Sequence, residues 1–285
     1  MKRSAQYAGS FYSSKPDELV HSITECFQSP FGPQKYVDQV EKISEISEAI
    51  PFFLVPHAGY MYSGPVAAWS FLELSKYIQP ETVIIIGPNH TGLGSEIAIA
   101  DDVEAWETPL GEVEINHDLI NKITELSHII TKDDRAHSRE HSIEVQLPFL
   151  QYIYKEPFKI IPISLLNQGM DSSIMLGEII SKACENENVT IIASSDFTHY
   201  EHHDKASKQD NQVLEKIVNL DIKGMYDIKY ELNVSMCGYG PIAATIEAAK
   251  QMNRTKGKIL AYATSGNVSG MKSQVVGYGA AMFHT

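Results

Sequence analysis

Residues 83–92 read VIIIGPNHTG: four β-branched apolar residues run directly into Gly87 and Pro88, and the turn delivers a histidine, His90. β-Branched side chains suit a pleated strand, and a run that is apolar at every position reads as a strand covered on both faces. Further short apolar runs follow the same logic: FFLV from residue 52, FKIIPI from 158, VTIIAS from 189, KILAYA from 258 and QVVGYGAAMF from 274. Between them lie helical patterns at 64–77, 117–126, 140–154, 171–185, 211–220 and 240–252. The stretch PDELVHSITECFQ, residues 16–28, opens with proline and acids in its first turn and keeps Leu19, Val20, Ile23 and Phe27 on one face, as an opening helix should. Strands alternating with helices predict an α/β fold, a mixed and largely parallel sheet with helices on both faces. Residues 29–50 read as a polar connector, and 95–115 as a local antiparallel excursion turning at PLGE. No internal repeat or linker divides residues 1–285, so a single domain is expected.

Composition narrows the function classes. Thirty-six acids against 23 bases give a formal net charge of −13, which repels polyanions and argues against nucleic-acid or anionic-membrane binding without a local basic patch. No such patch is present. The N-terminus lacks a signal-peptide core and nowhere do about 18 apolar residues run together, so a soluble, cytoplasmic protein is expected. Cys26, Cys184 and Cys237 are odd in number and widely spaced, which disfavours a disulfide framework.

Three strand exits carry metal-competent residues: FFLVPHAGY delivers His57, VIIIGPNHTG delivers His90, and IIASSDFTHY delivers Asp196 and His199. In open α/β sheets the crevice beyond the carboxyl ends of the strands is where ligands bind. If these strands are parallel neighbours, the side chains converge on one site. A second cluster, DDRAHSREHSIEVQLPF, contains His137, Glu140, His141 and Glu144. Its two histidines are four apart, a spacing used by helical zinc sites, but Glu140 and His141 read as a helix start with His137 before it, and the charged head also suits a helix cap or a support behind a ligand. Within it His141 is best placed to reach the site, and Pro148 should bend or end the helix. Cys237, in NVSMCGYGPIAA, stands just before a helix whose dipole would favour a thiolate, although a lone cysteine also serves as a small buried hydrophobe. Cys26 and Cys184 lie in amphipathic helices and read as packing residues. His202 and His203 read as a solvated loop leading into a helix near Asp204.

PHAGYMYSG, GPNH, EHSIEVQLPF, SSDFTHY and MCGYGP, in this order between residues 56 and 241, resemble the Memo family, named for a mediator of receptor-driven cell motility; YAGSFY and QVVGYGAAMF extend the resemblance over nearly the whole chain. The resemblance implies a single-domain fold similar to class III extradiol dioxygenases, with metal positions at His57, His90 and Cys237. It also implies His199 in the place of the dioxygenase acid/base, Asp196 beside the site, and Fe(II) or copper as the metal. Glu140 and His141 fall in the third quoted motif, EHSIEVQLPF. A pathway link to radical-SAM and AMMECR-type proteins is implied as well. Two histidines and a carboxylate are the usual non-haem iron set; a cysteine in the third place is softer and suits Cu(I), Zn(II) or Fe(II).

Four activities follow as alternatives. One is a redox enzyme with His199 as acid/base and Asp196 orienting a ligand. Another is a zinc hydrolase. A third is a metal-free Cys237 nucleophile activated by His199 and Asp196. The last, from the resemblance alone, is a peptide-binding adaptor. The ligand is thus a small molecule or a peptide.

Overall fold

The computed structural model describes residues 1–43 and 49–285, so residues 44–48 of the expected connector lie outside the described residues. In chain order the elements are β1 (Lys2–Arg3), α1 (Pro16–Gln28), β2 (Phe52–Val55), α2 (Tyr60–Leu74), β3 (Thr82–Pro88), β4 (Ile97–Ile99), β5 (Ala105–Thr108) and β6 (Gly111–Ile115). Then come α3 (His117–Leu126), β7 (Thr131–Lys132), α4 (Leu147–Ile153), β8 (Lys159–Leu165), α5 (Met170–Ala183), β9 (Val189–Ser194), β10 (His199–Glu201) and α6 (His203–Val218). The chain closes with α7 (Ile222–Glu231), α8 (Tyr239–Gln251), β11 (Lys256–Thr264), α9 (Ser265–Ser269) and β12 (Val275–His284).

The sheet is mixed. Its path runs β1-β5-β6-β8-β3-β9-β2-β12-β10, with β4 also paired to β8 and β11 to β12. The four central strands, β8, β3, β9 and β2, are parallel, and every residue of β2, β3 and β9 is buried, as the all-apolar runs predicted. Antiparallel pairs flank this centre: β12 on β2, β11 on β12, and the β5–β6 hairpin at the expected turn. Helices α1, α2 and α4 pack together, with α2 lying on β2, β11 and β12; α5, α7 and α8 form another group, with α8 on β2, β3 and β9, while α6 packs on α7, β11 and β12. No described helix is long and apolar enough to cross a membrane.

Two stretches differ from the sequence reading. The expected helix over 140–154 begins only at α4, after a short 3-10 turn at Glu144–Gln146, and Pro148 stands in its first turn rather than ending it. His137 does lie ahead of that helix, as expected: it closes a separate 3-10 turn, Asp134–His137, and shares no helix face with His141. The HYEHHD run is not all loop: His199–Glu201 pairs with β12, and His203 already belongs to α6.

Candidate metal centre

His57, His90 and Asp196 each lie two residues beyond the end of a strand, β2, β3 and β9 respectively. Because β9 pairs in parallel with both β2 and β3, with Val55 opposite Ser194 and Ile86 opposite Ala193, the three exits open at one edge. The chain after α7 brings Cys237 there, just ahead of α8. The adjacency that hydropathy left open is therefore supplied by the strand order.

His57 is buried, its Nε2 3.2 Å from Cys237 Sγ and its Nδ1 2.9 Å from Ser194 Oγ. Its backbone N–H donates to Asp196 Oδ1 at 2.8 Å. His90 is held twice by Glu140, through its backbone N–H at 2.6 Å and through Nδ1 at 2.9 Å. The ligand atoms of His57, His90 and Cys237 all fall within 4.8 Å of one another. His90, Glu140 and His141 make a second such group. In that group Glu140 already accepts from His90 N and Nδ1, His141 N and Ser142 N, so its oxygens are engaged behind His90 rather than free for an ion. The His141 ring stacks on His90 at 4.7 Å and meets His57 edge-on at 5.3 Å.

Burial dominates the electrostatics. It pushes His57 well below the ordinary imidazole range, helped by His141 and His90, and holds His141 at about 4. It raises the Cys237 thiol far above the usual range, reinforced by the Asp196 charge, which outweighs the helix-dipole effect expected from the sequence. Burial also lifts Asp196 to about 6, against the hydrogen bond from His57 N–H and the charges of His199 and His90. Glu140 goes the other way: burial opposes its charge, but the His90 hydrogen bond and the nearby histidines keep it at about 2.

His199 sits at the start of β10 with Nδ1 3.0 Å from Ser235 O; a carbonyl can only accept, so Nδ1 is the donor and Nε2 is the ring nitrogen not engaged by that bond. It is close enough to act on the charges of His57 and Asp196, but it is not one of the converging ligand atoms. The imidazole facing the thiol is His57. Asp196 holds the His57 turn through a backbone N–H. His137 is not among these converging ligand atoms; it is buried against Trp106 with Nε2 3.2 Å from Ala98 O. Cys26 and Cys184 are buried. His202 accepts from Asp204 N at the start of α6, and His203 Nδ1 lies 2.8 Å from Thr264 Oγ1.

Two glycines allow the close packing. A Cβ on Gly87 would lie 2.4 Å from Ser142 Oγ, and one on Gly238 would lie 2.5 Å from Ser194 O and 2.6 Å from Ser195 Cβ. Residues that the sequence did not single out complete the site. Ser194, Ser142 and Gln146 lie behind His57. Gln168 donates to Cys237 O at 2.8 Å and accepts from Gly240 N at 2.9 Å. Arg3, also not singled out, forms a buried ion pair at 2.6 Å with Glu144 of the second cluster. The quoted motifs contained Ser194, Ser142 and Gln146, but neutral polar residues inside apolar segments give no chemical signal of their own.

A family model for Memo-like proteins matches residues 3–282. The chain belongs to the Memo family. It is 47% identical over 285 residues to a MEMO1 family protein of Methanopyrus kandleri, covering 99% of each chain. It is 44% identical to a MEMO1 family protein of Sulfurisphaera tokodaii, covering 98% of each. An uncharacterized Escherichia coli K12 protein of known structure aligns with this Memo-family chain at a TM-score of 0.54 and 12% identity, over 82% of this chain and 99% of that one, a likeness of fold alone.

Proposed function

We propose that this Memo-family chain is a cytoplasmic, single-domain metalloprotein that holds Fe(II) on His57, His90 and Cys237 and acts as a metal-dependent, dioxygenase-like oxidoreductase on a small-molecule or peptide ligand. The observation that carries the reading is the convergence of two imidazole nitrogens and one sulfur within 4.8 Å, with Sγ 3.2 Å from Nε2. Ligands bound at about 2.0–2.3 Å from a common ion stand a little over 3 Å apart, so the donors need only small adjustments. The donors also fit by charge. Burial keeps the His57 imidazole neutral and the Cys237 thiol protonated, and a divalent cation is what would favour losing that thiol proton.

Bound Fe(II) or copper would supply a redox couple, and Zn(II) on the same donors only Lewis acidity. The chain's own residues do the rest. Glu140 fixes the Nδ1 proton of His90 and so directs Nε2 away from itself. His199 offers an Nε2 able to take and return a proton at the mouth of the site. Asp196 keeps the His57 turn closed. A pathway shared with radical-SAM and AMMECR-type proteins is part of the same reading.

The test is metal analysis of protein purified without oxygen, with nitric oxide added as a spectroscopic probe of Fe(II), beside Cys237→Ser. Stoichiometric iron in the native chain and its loss in the variant are expected. Stoichiometric zinc without iron would replace the redox reading by the hydrolytic one, and a chain that retains no metal would overturn both.

A further inference from the structure

We propose that Ser194 is a positioning residue: its hydroxyl fixes the ring proton of His57 on Nδ1 and thereby turns the Nε2 lone pair toward Cys237. The inference rests on the metal reading in that the lone pair is there to bind an ion, but the hydrogen-bond argument stands by itself. Ser194 Oγ has three near neighbours: Ser142 O at 2.6 Å, Gln146 Nε2 at 2.9 Å and His57 Nδ1 at 2.9 Å. A hydroxyl has one proton to give and two lone pairs to fill. The carbonyl of Ser142 can only accept, so it takes the proton. The Gln146 amide nitrogen can only donate, so it fills one lone pair. The orientation of that amide is not free, because the same nitrogen also lies 3.1 Å from the carbonyl of Pro56, which accepts. One acceptor site remains on Ser194, and it faces His57 Nδ1. The imidazole must therefore donate from Nδ1.

His57 and Ser194 are buried, as is Gln146, so water is not at hand to offer an alternative partner. The arrangement sets the two histidines apart. His90 gives its Nδ1 proton to a carboxylate, whereas His57 gives its own to a neutral hydroxyl whose donor capacity has been removed by its neighbours. In either case the ligand nitrogen is Nε2, but only Glu140 adds negative charge behind the ring.

Two measurements on the full chain separate this inference from the metal reading. The first is the 15N chemical shifts of the His57 ring in metal-free, reduced protein, assigned with a His57→Gln variant. A protonated Nδ1 and a bare Nε2 are expected, while the opposite tautomer in the native chain would overturn the inference without any variant having to fold. The second is titration with Co(II), read through its thiolate charge-transfer absorption, for the native chain, Ser194→Ala and Ser194→Thr. Loss of the partner to a ligand histidine should weaken Co(II) binding by roughly 10- to 100-fold in Ser194→Ala and shift the band, with Ser194→Thr restoring both. Equal affinity and an unchanged band in a folded Ser194→Ala would sink the positioning role. Failure of the native chain to bind Co(II) would instead strike the metal reading and leave the tautomer assignment to the first measurement.

Discussion

Glu140 shows what one residue does for the site. Its carboxylate takes four N–H donors, two from His90 and one each from His141 and Ser142. Glu140→Gln keeps the shape but replaces one acceptor oxygen with an NH2 group, which cannot accept from N–H. Metal affinity is expected to fall by about 10- to 100-fold with only a modest change in melting temperature, as measured by metal titration beside thermal unfolding. The histidines that Glu140 and Ser194 support were legible in the sequence because each follows a strand that hydropathy reveals. Cys237 was legible only through the family motif, since one cysteine before a glycine looks the same whether it binds or packs. Of the supports, Glu140 was anticipated as a residue behind a ligand, but Ser194 was not, because a neutral hydroxyl inside an apolar strand gives no signal and its partner Ser142 is 52 residues away in sequence.

At the scale of elements, the same carboxylate explains why 140–154 is not one helix. By bonding the backbone N–H groups of His141 and Ser142, Glu140 offers them an alternative to helical partners, and the helix waits until Leu147. Helix α7 escaped the sequence reading because IKGMYDIKYE buries only Ile222, Met225 and Tyr226, too thin a stripe to stand out. The first strand and the segment after it then act as a strap on the 137–144 loop. Arg3 donates to His137 O at 2.8 Å, Glu140 O at 2.9 Å and Glu144 at 2.6 Å, and Glu144 also accepts from Gln6 N, Tyr7 N and Tyr12 OH. Breaking such a buried pair by removing one partner costs about 3–5 kcal/mol. Arg3→Met is therefore expected to lower stability by that order in denaturant melts. It should also weaken metal binding, because the loop it frees carries Glu140. A destabilised variant with full metal affinity would show that the strap serves folding alone.

For the whole molecule, the parallel centre was readable because strands buried on both faces are apolar throughout, whereas β1, β7 and β10 are too short or polar to give a pattern. Burial of polar groups in so apolar a body has a cost that acid reveals. His137 is buried with Nδ1 lacking a hydrogen-bond partner; burial, with the Arg3 charge adding, lowers its pKa to about 4. The unfolded chain takes up this proton near pH 6.5, and the native chain only near pH 4. Between those values the unfolded state binds more protons, so native stability falls as pH falls, by up to about 1.4 kcal/mol per pH unit for this group. Above pH 6.5 both states are neutral and the penalty vanishes. Asp196 and Asp210, raised to about 6 by burial, act with the opposite sign over part of the same window, so the native chain's own slope is a sum of opposing groups. The difference between the native chain and His137→Gln isolates the histidine. Chemical denaturation from pH 7 down to pH 4 should give the variant a signed slope of stability against pH lower than the native chain's by up to one proton, and parallel curves would mean that His137 is protonated inside the fold.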